Sequence, residues 1–161
     1  MAADDLLLRQ APHSPQAEQA VLGSMLIDPD CIKDVMDKLQ PEDFYLRANR
    51  DIFETIYHMF IYSRPIDGVT VAGEMERNGV YNDNTRDYLV QLMDVTPTSA
   101  NVMEYVKIVL DKSLMRQGAA AAGSITAMVQ EGNGDAGDML ESAEQKVYAI
   151  RRGRSAQNMV T

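Results

Sequence analysis

The chain of 161 residues has no tryptophan, one cysteine and two histidines, and aromatic residues make up only 6% of it. A single cysteine, Cys31, excludes an intrachain disulfide and any cysteine-based metal cluster, and it suits a reducing cytoplasm. No apolar run approaches the roughly 18 residues that a membrane span needs. The start, MAADDLLLRQ, is acidic where a secretory signal would be basic. A phosphate-cradling loop of the form GxxxxGK[ST] is missing as well, because the glycine cluster of Gly132, Gly134 and Gly137 is followed by Asp138 rather than lysine. Basic charge is also short: 15 Lys and Arg against 24 Asp and Glu leave a net charge of −9 and a pI near 4.6. Counterion release by Lys and Arg supplies most non-specific DNA affinity, so a chain this acidic should not grip DNA tightly on its own at physiological salt. Protein partners, or a spacer role, fit the charge better.

What is present reads as helix. Hydrophobic residues make up 45% of the chain and methionines number 11, which suits an adaptable helical interior rather than a sheet. Ser14 followed by Pro15 is an N-cap with proline at the first helical position, and Asp28-Pro29 repeats that grammar. Between them Ala17, Val21, Leu22, Met25 and Leu26 recur at helical spacing, predicting a helix that buries one face and ends near Ile27. From Arg47 to Tyr62, the stripe of Ile52, Phe53, Ile56, Tyr57 and Phe60 predicts the central core helix. Arg64-Pro65 stops it. Asp67 caps a helix to about Asn78, with Gly79 beyond it as a left-handed residue. Another helix begins near Thr85 and presents Leu89, Leu92 and Met93. Residues 1–13 read as a disordered tail and residues 14–97 as a globular head of about six short helices.

After Thr96-Pro97 the pattern lengthens. Thr98 is positioned to cap a long helix whose periodic residues Val102, Tyr105, Val106, Val109 and Leu110 continue through Leu114 and Met115. Residues 118–123, GAAAAG, put small side chains on every face, which lets another helix approach closely, although each glycine costs roughly 1 kcal/mol relative to alanine. Asn133-Gly134-Asp135 forms a turn with Asp135 as N-cap. Leu140, Ala143, Val147 and Ile150 then follow in alternating steps of three and four, as at coiled-coil a and d positions. Residues 98–153 therefore read as an antiparallel helical hairpin, with a linker starting at 154. The whole is all-α. A two-helix hairpin cannot bury both of its faces alone, so it should pack on the head or on another hairpin, and self-association is the economical answer.

Reactive chemistry finds little to work with. Asp51, Glu54 and His58 share a helix face, but a di-metal bundle would want Glu-x-x-His repeated on facing helices. Arg47 with Asp51 and Arg50 with Glu54 are better read as i,i+4 ion pairs on a solvated face. Cys31 lies in a first helical turn, where a thiol pKa can fall; without a structured histidine partner it reads as a small, partly buried side chain. Arg151, Arg152 and Arg154 end the last helix, where cations are favourable in any case. No catalytic residue, cofactor site or metal site is expected.

The order Ala17-Glu18, Val21-Leu22-Gly23, Asp28, Leu39 and Pro41-Glu42-Asp43-Phe44-Tyr45 resembles the N-terminal domain of the DnaB family of bacterial replicative helicases. The resemblance continues through Ile66-Asp67, Val69-Thr70-Val71, Tyr88-Leu89, Leu92, Pro97-Thr98, Asn101, Tyr105, Ile108-Val109, Lys112 and Arg116. It implies a collar that assembles into a trimer-of-dimers ring on a hexameric helicase. It also implies partners: further copies of the chain, the C-terminal domain of a DnaG-type primase, and a helicase loader. ATP and magnesium would belong to a RecA-like motor absent from this chain, so the fragment should not turn over ATP. By the family pattern the self-association seam falls on Leu140, Ala143, Val147 and Ile150, with Ile125 and Met128 opposite. Tyr88 becomes the first choice for a primase contact, a semi-buried core ring being the equal alternative. The GAAAAG run departs from the larger and charged residues typical of that helix. A stand-alone helical adaptor, or the helicase-binding domain of a primase, is the alternative reading. A small helical enzyme is disfavoured by the lack of any convergent acid–base or metal set.

Overall fold

The computed structural model describes residues 10–132 and 134–159, with the side chains of the last helix followed as far as Arg152. Among these residues every regular element is helical: α1 (Pro15–Ile27), α2 (Ile32–Met36), α3 (Arg47–Ile61), α4 (Gly68–Arg77), α5 (Thr85–Asp94), α6 (Val102–Glu131) and α7 (Ala136–Met159). Two 3₁₀ turns, Pro29–Cys31 and Pro41–Asp43, fill the connections around α2. The expected all-α architecture, short helices followed by a long antiparallel pair, is the one that forms. Residues 1–9 of the expected tail lie outside the described residues, as does Asn133 of the hairpin turn. The last residues ahead of α1 are held on the body: Arg116 Nη1 donates to the Pro12 carbonyl at 2.7 Å, and the His13 ring stacks on Tyr45. At the other end α7 continues through Met159, across the position where a linker was expected to begin.

The helix boundaries follow from local chemistry. Ser14 Oγ accepts from the Ala17 amide at 3.2 Å, with Pro15 opening α1. Asp67 and Thr70 form a reciprocal capping box: the Thr70 amide donates to Asp67 Oδ1 at 2.8 Å and the Asp67 amide to Thr70 Oγ1 at 2.9 Å. Past α4, Gly79 adopts φ +75°, and Gly132 closes α6 at φ +64°. Thr98 does not cap the long helix. Its hydroxyl accepts from the Ala100 amide at 3.1 Å in a local turn, and α6 starts at Val102 after Asn101. Short hydroxyl side chains compete with helix by bonding their own neighbouring backbone in this way.

The centre of the head is α1 rather than α3. Every residue from Val21 to Leu26 is buried, together with Ala17 and Glu18, and α6, α5 and α3 pack around it. The reason lies in composition: from Gln19 to Ile27 the helix carries no charge, and a helix that is apolar all round belongs inside. Helix α3 carries Arg47, Arg50, Glu54 and His58 and can bury only a stripe. That stripe is Ile52, Phe53, Thr55, Ile56 and Met59; Tyr57 is half-buried and Phe60 exposed. Helix α6 serves two regions. Val102, Val106, Val109, Leu110 and Ser113 are buried in the head, whereas no residue from Gln117 to Glu131 is buried. The head's core therefore continues past residue 97, and the free hairpin projects from about Arg116.

The α1–α5 contact depends on Gly23. A Cβ there would lie 2.1 Å from Thr96 Oγ1 and 2.4 Å from the Leu92 carbonyl oxygen, which is backbone and cannot step aside. The same closeness accompanies a cost, since Thr96 Oγ1 is the buried side-chain polar atom left without a hydrogen bond among the described residues. Gly23→Ala should destabilise the fold by about 1–3 kcal/mol through overpacking. Gly73→Ala, on α4 with nothing near its Cβ position, should stabilise it by up to about 1 kcal/mol. Urea unfolding followed by circular dichroism distinguishes the two signs.

Candidate functional site

The described hairpin buries no residue of α7, and its one extended packing partner is α6. The half-buried positions of α7, namely Met139, Ser142, Ala143, Lys146 and Ile150, recur at steps of three and four and mark the face that α6 covers. Ala121, Ser124, Ile125 and Met128 are the half-buried counterparts on α6. The six expected seam residues thus divide. Ile125, Met128, Ala143 and Ile150 are partly covered within the hairpin itself, while Leu140 and Val147 remain 57% and 49% exposed. Tyr148, 64% exposed, joins them. Ile125, Leu140, Ala143, Val147 and Tyr148 line one open groove, rimmed by Glu141, Glu144 and Arg151. An apolar floor with a charged rim is suited to receiving the apolar face of another helix.

The structure assigns Tyr88 an interior role on one side and an exposed one on the other. Its hydroxyl donates to Asn49 Oδ1, and Asn49, itself fully buried, donates from Nδ2 to Glu18 Oε1 at 2.9 Å. Glu18, 1% exposed, also accepts from the Tyr45 and Leu46 amides at 2.8 and 3.3 Å. Burial raises the Tyr88 pKa, with hydrogen bonds to Gln19 and Asn49 opposing the rise and the Glu18 charge adding to it. The ring still borders a surface depression shared with Ala48, Asp51, Asn82 and Asn84. Glu18 is the residue that sequence reading missed. Its signal was present: Glu18, Val21, Leu22 and Met25 stand at i, i+3, i+4 and i+7, which places a carboxylate on the stripe that is buried.

The face carrying Asp51, Glu54 and His58 forms different bonds from those expected. Arg50 does not pair with Glu54. Its Nε and Nη2 donate to the Phe44 carbonyl at 3.3 and 3.1 Å, and Glu54 lies 3.8 Å from His58. Glu74 instead gathers Arg64 at 2.8 Å and Arg77 at 2.9 Å. Among the described residues no group of three or more His, Cys, Asp or Glu side chains is arranged to hold a metal ion. Cys31 is buried, and its thiol is pushed up from 9.0 to about 11, chiefly by desolvation and then by the charge of Asp28. The helix-terminus effect does not prevail there. No described helix is long and apolar enough to cross a membrane.

Comparison with known proteins follows the same outline. A family model, the DnaB-like helicase N terminal domain, matches residues 10–111. Replicative DNA helicase DnaB of Mycobacterium leprae is 34% identical over 158 residues, covering 94% of this chain and 26% of that protein. The chain spans 26% to 34% of the length of the curated relatives it matches. The crystal structure of the N-terminal domain of DnaB helicase from Mycobacterium tuberculosis superposes with a TM-score of 0.80 at 33% identity, covering 87% of this chain and 99% of that one. The N-terminal domain of DnaB helicase from Helicobacter pylori shares the fold, with a TM-score of 0.63 at 24% identity over 71% of this chain and 89% of that one.

The raised Cys31 pKa gives a signed pH dependence. A neutral thiol is favoured by the fold, so its contribution is fully present below about pH 9 and is lost as pH rises through about 11. Urea unfolding should therefore lose stability between these values, and Cys31→Ala should flatten that part of the profile. At pH 8 the folded thiol should react with a disulfide reagent at least tenfold more slowly than the urea-unfolded chain.

Proposed function

Because this chain belongs to the family of DnaB-like helicase N-terminal domains, we propose that it is the collar of a replicative DNA helicase, joining copies of itself through the hairpin and offering its head to primase. The observation that carries this reading is the apolar groove of Leu140, Val147, Tyr148 and Ile125, which stays open among the described residues. A second hairpin presents the same surface, and an isologous pair would remove both grooves from water at once. Ring closure would then proceed through further contacts between heads.

The primase role draws support from relatives of the same fold. The Helicobacter pylori domain, and another DnaB-like replicative helicase of which this chain covers 31%, are both characterised through their interactions with primase. Within the head, the depression beside Tyr88 is our residue-level choice, because it joins a rigid aromatic edge to polar Asn82 and Asn84. A helicase loader is a further partner on this reading. ATP, magnesium and strand separation belong to a RecA-like motor outside these 161 residues, and the cytoplasm is the compartment. A stand-alone adaptor or a primase domain would share the architecture, but the curated relatives matching nearly the full chain are replicative helicases.

Two experiments test the proposal. Leu140→Asp combined with Val147→Asp, both on exposed positions, should lower the solution mass measured by multi-angle light scattering while leaving helicity unchanged; an unaltered mass removes the hairpin groove from the assembly. The chain mixed with the C-terminal domain of a cognate DnaG-type primase should gain mass. Asn84→Arg, at the rim beside Tyr88, should weaken that complex at least tenfold, about 1.4 kcal/mol, and an unchanged affinity moves the primase site elsewhere on the head.

A further inference from the structure

Helix α4 ends in a fully formed left-handed cap. Asn78 stands at the cap position with φ −88° and ψ 0°, and Gly79 follows it at φ +75°. The Gly79 amide donates to the Glu76 carbonyl at 3.2 Å and the Val80 amide to the Met75 carbonyl at 3.0 Å. These are the two reversed bonds by which a helix end turns back on itself, and they call for glycine at the left-handed position. Met75 is buried, Val80 packs against the core, and both line the depression beside Tyr88. Asn78 itself is exposed.

An asparagine followed by glycine is chemically labile, because no Cβ on the glycine hinders its nitrogen. On losing its proton, the Gly79 nitrogen can attack the side-chain carbonyl carbon of Asn78. The new C–N bond closes a succinimide ring, the bond to the side-chain nitrogen breaks, and ammonia leaves. Water then opens the ring at either carbonyl to give aspartate or isoaspartate, with no oxidant or reductant consumed. The cap opposes both requirements of the first step. The attacking amide is held by the Glu76 carbonyl, and ψ of 0° turns the Gly79 nitrogen away from the Asn78 side chain. Ring closure needs a large rotation about that bond, which the Gly79 and Val80 hydrogen bonds block.

We propose that Asn78–Gly79 is a deamidation site locked by the cap of α4, converting to aspartate or isoaspartate only in chains whose α4 end has opened. Local opening of this kind costs less than global unfolding. Isoaspartate lengthens the backbone between residues 78 and 79 by a methylene, so the two amides beyond it no longer meet the Glu76 and Met75 carbonyls together. Either product adds negative charge to a chain already at −9 and to a surface cavity that Asn78 shares with Asp51, Glu54 and Glu74. The site belongs to a single chain and stands independently of the assembly and the primase contact proposed above.

Peptide mapping by mass spectrometry on the full chain tests the site. At pH 8 the folded protein should convert Asn78 at least tenfold more slowly than the urea-unfolded chain. Asp67→Ala, which removes the cap at the other end of α4 and leaves Asn78 in place, should convert at least twofold faster than the parent. The isoaspartate form, separated by its added negative charge, should melt below the unconverted protein. No conversion in urea overturns the site, and equal rates in folded and unfolded chains overturn the lock. An Asp67→Ala rate no faster than the parent's overturns gating by α4, and an isoaspartate form that melts with the parent overturns the loss of the cap. Should Asp67→Ala not fold, Thr70→Ala, which removes the reciprocal half of the same capping box, takes its place.

Discussion

The carboxylate of Glu18 is the bond on which the head depends. Helix α3 begins at Arg47 with Leu46 at its cap position, and Leu46 offers no side-chain acceptor. The free amides there need one from elsewhere. Glu18, one turn into α1, supplies it by accepting from the Tyr45 and Leu46 amides and from the Asn49 side chain. A negative group at the positive end of a helix is favourable electrostatically, and three donors are what make a buried carboxylate tolerable. Asn49 then passes the connection on to the Tyr88 hydroxyl. One carboxyl group thereby fixes α1, α3 and α5 in a single arrangement, and its donors would lose their partner without it.

A head so thoroughly satisfied explains why the hairpin, rather than the head, carries the surplus. In the head, apolar side chains from α1 to α6 close on each other and, among the described residues, buried polar side-chain atoms find partners, with Thr96 Oγ1 as the exception. In the hairpin, Leu140, Val147 and Tyr148 are set outside the α6–α7 contact by their position on the helical wheel. Ala143 and Ile150 are drawn inward while their heptad neighbours are not, so the coiled-coil spacing serves two contacts at once. A helix with one covered and one open apolar edge is halfway to a bundle.

How much of this was legible in the sequence depended on the distance between partners. Ser14, Asp67 and Gly79 act on residues two to four positions away, and each took the role its spacing implied. The Arg116–Pro12 bond was not legible, because the carbonyl lies 104 residues away and any carbonyl would have served. Arg50 illustrates competition: an i,i+4 partner stood available in Glu54, yet the Phe44 carbonyl sat closer to the folded guanidinium. The centrality of α1 lay between these cases. Its amphipathic spacing was plain, but the missing charge on its other faces was the stronger signal, and it marks a helix enclosed on all sides.

Net charge bears on the same division of labour. Copies carrying −9 each repel one another, and at physiological ionic strength that repulsion is screened beyond about 8 Å. Assembly on the proposed reading therefore has to be driven by short-range apolar burial, which the hairpin groove supplies. On the same reading the acidity would disfavour phosphate backbones. On the proposed reading, a module that bound its own kind through an apolar stripe while disfavouring nucleic acid elsewhere would surround or adjoin a DNA strand without being held by it, a combination that suits a collar better than a DNA-gripping domain.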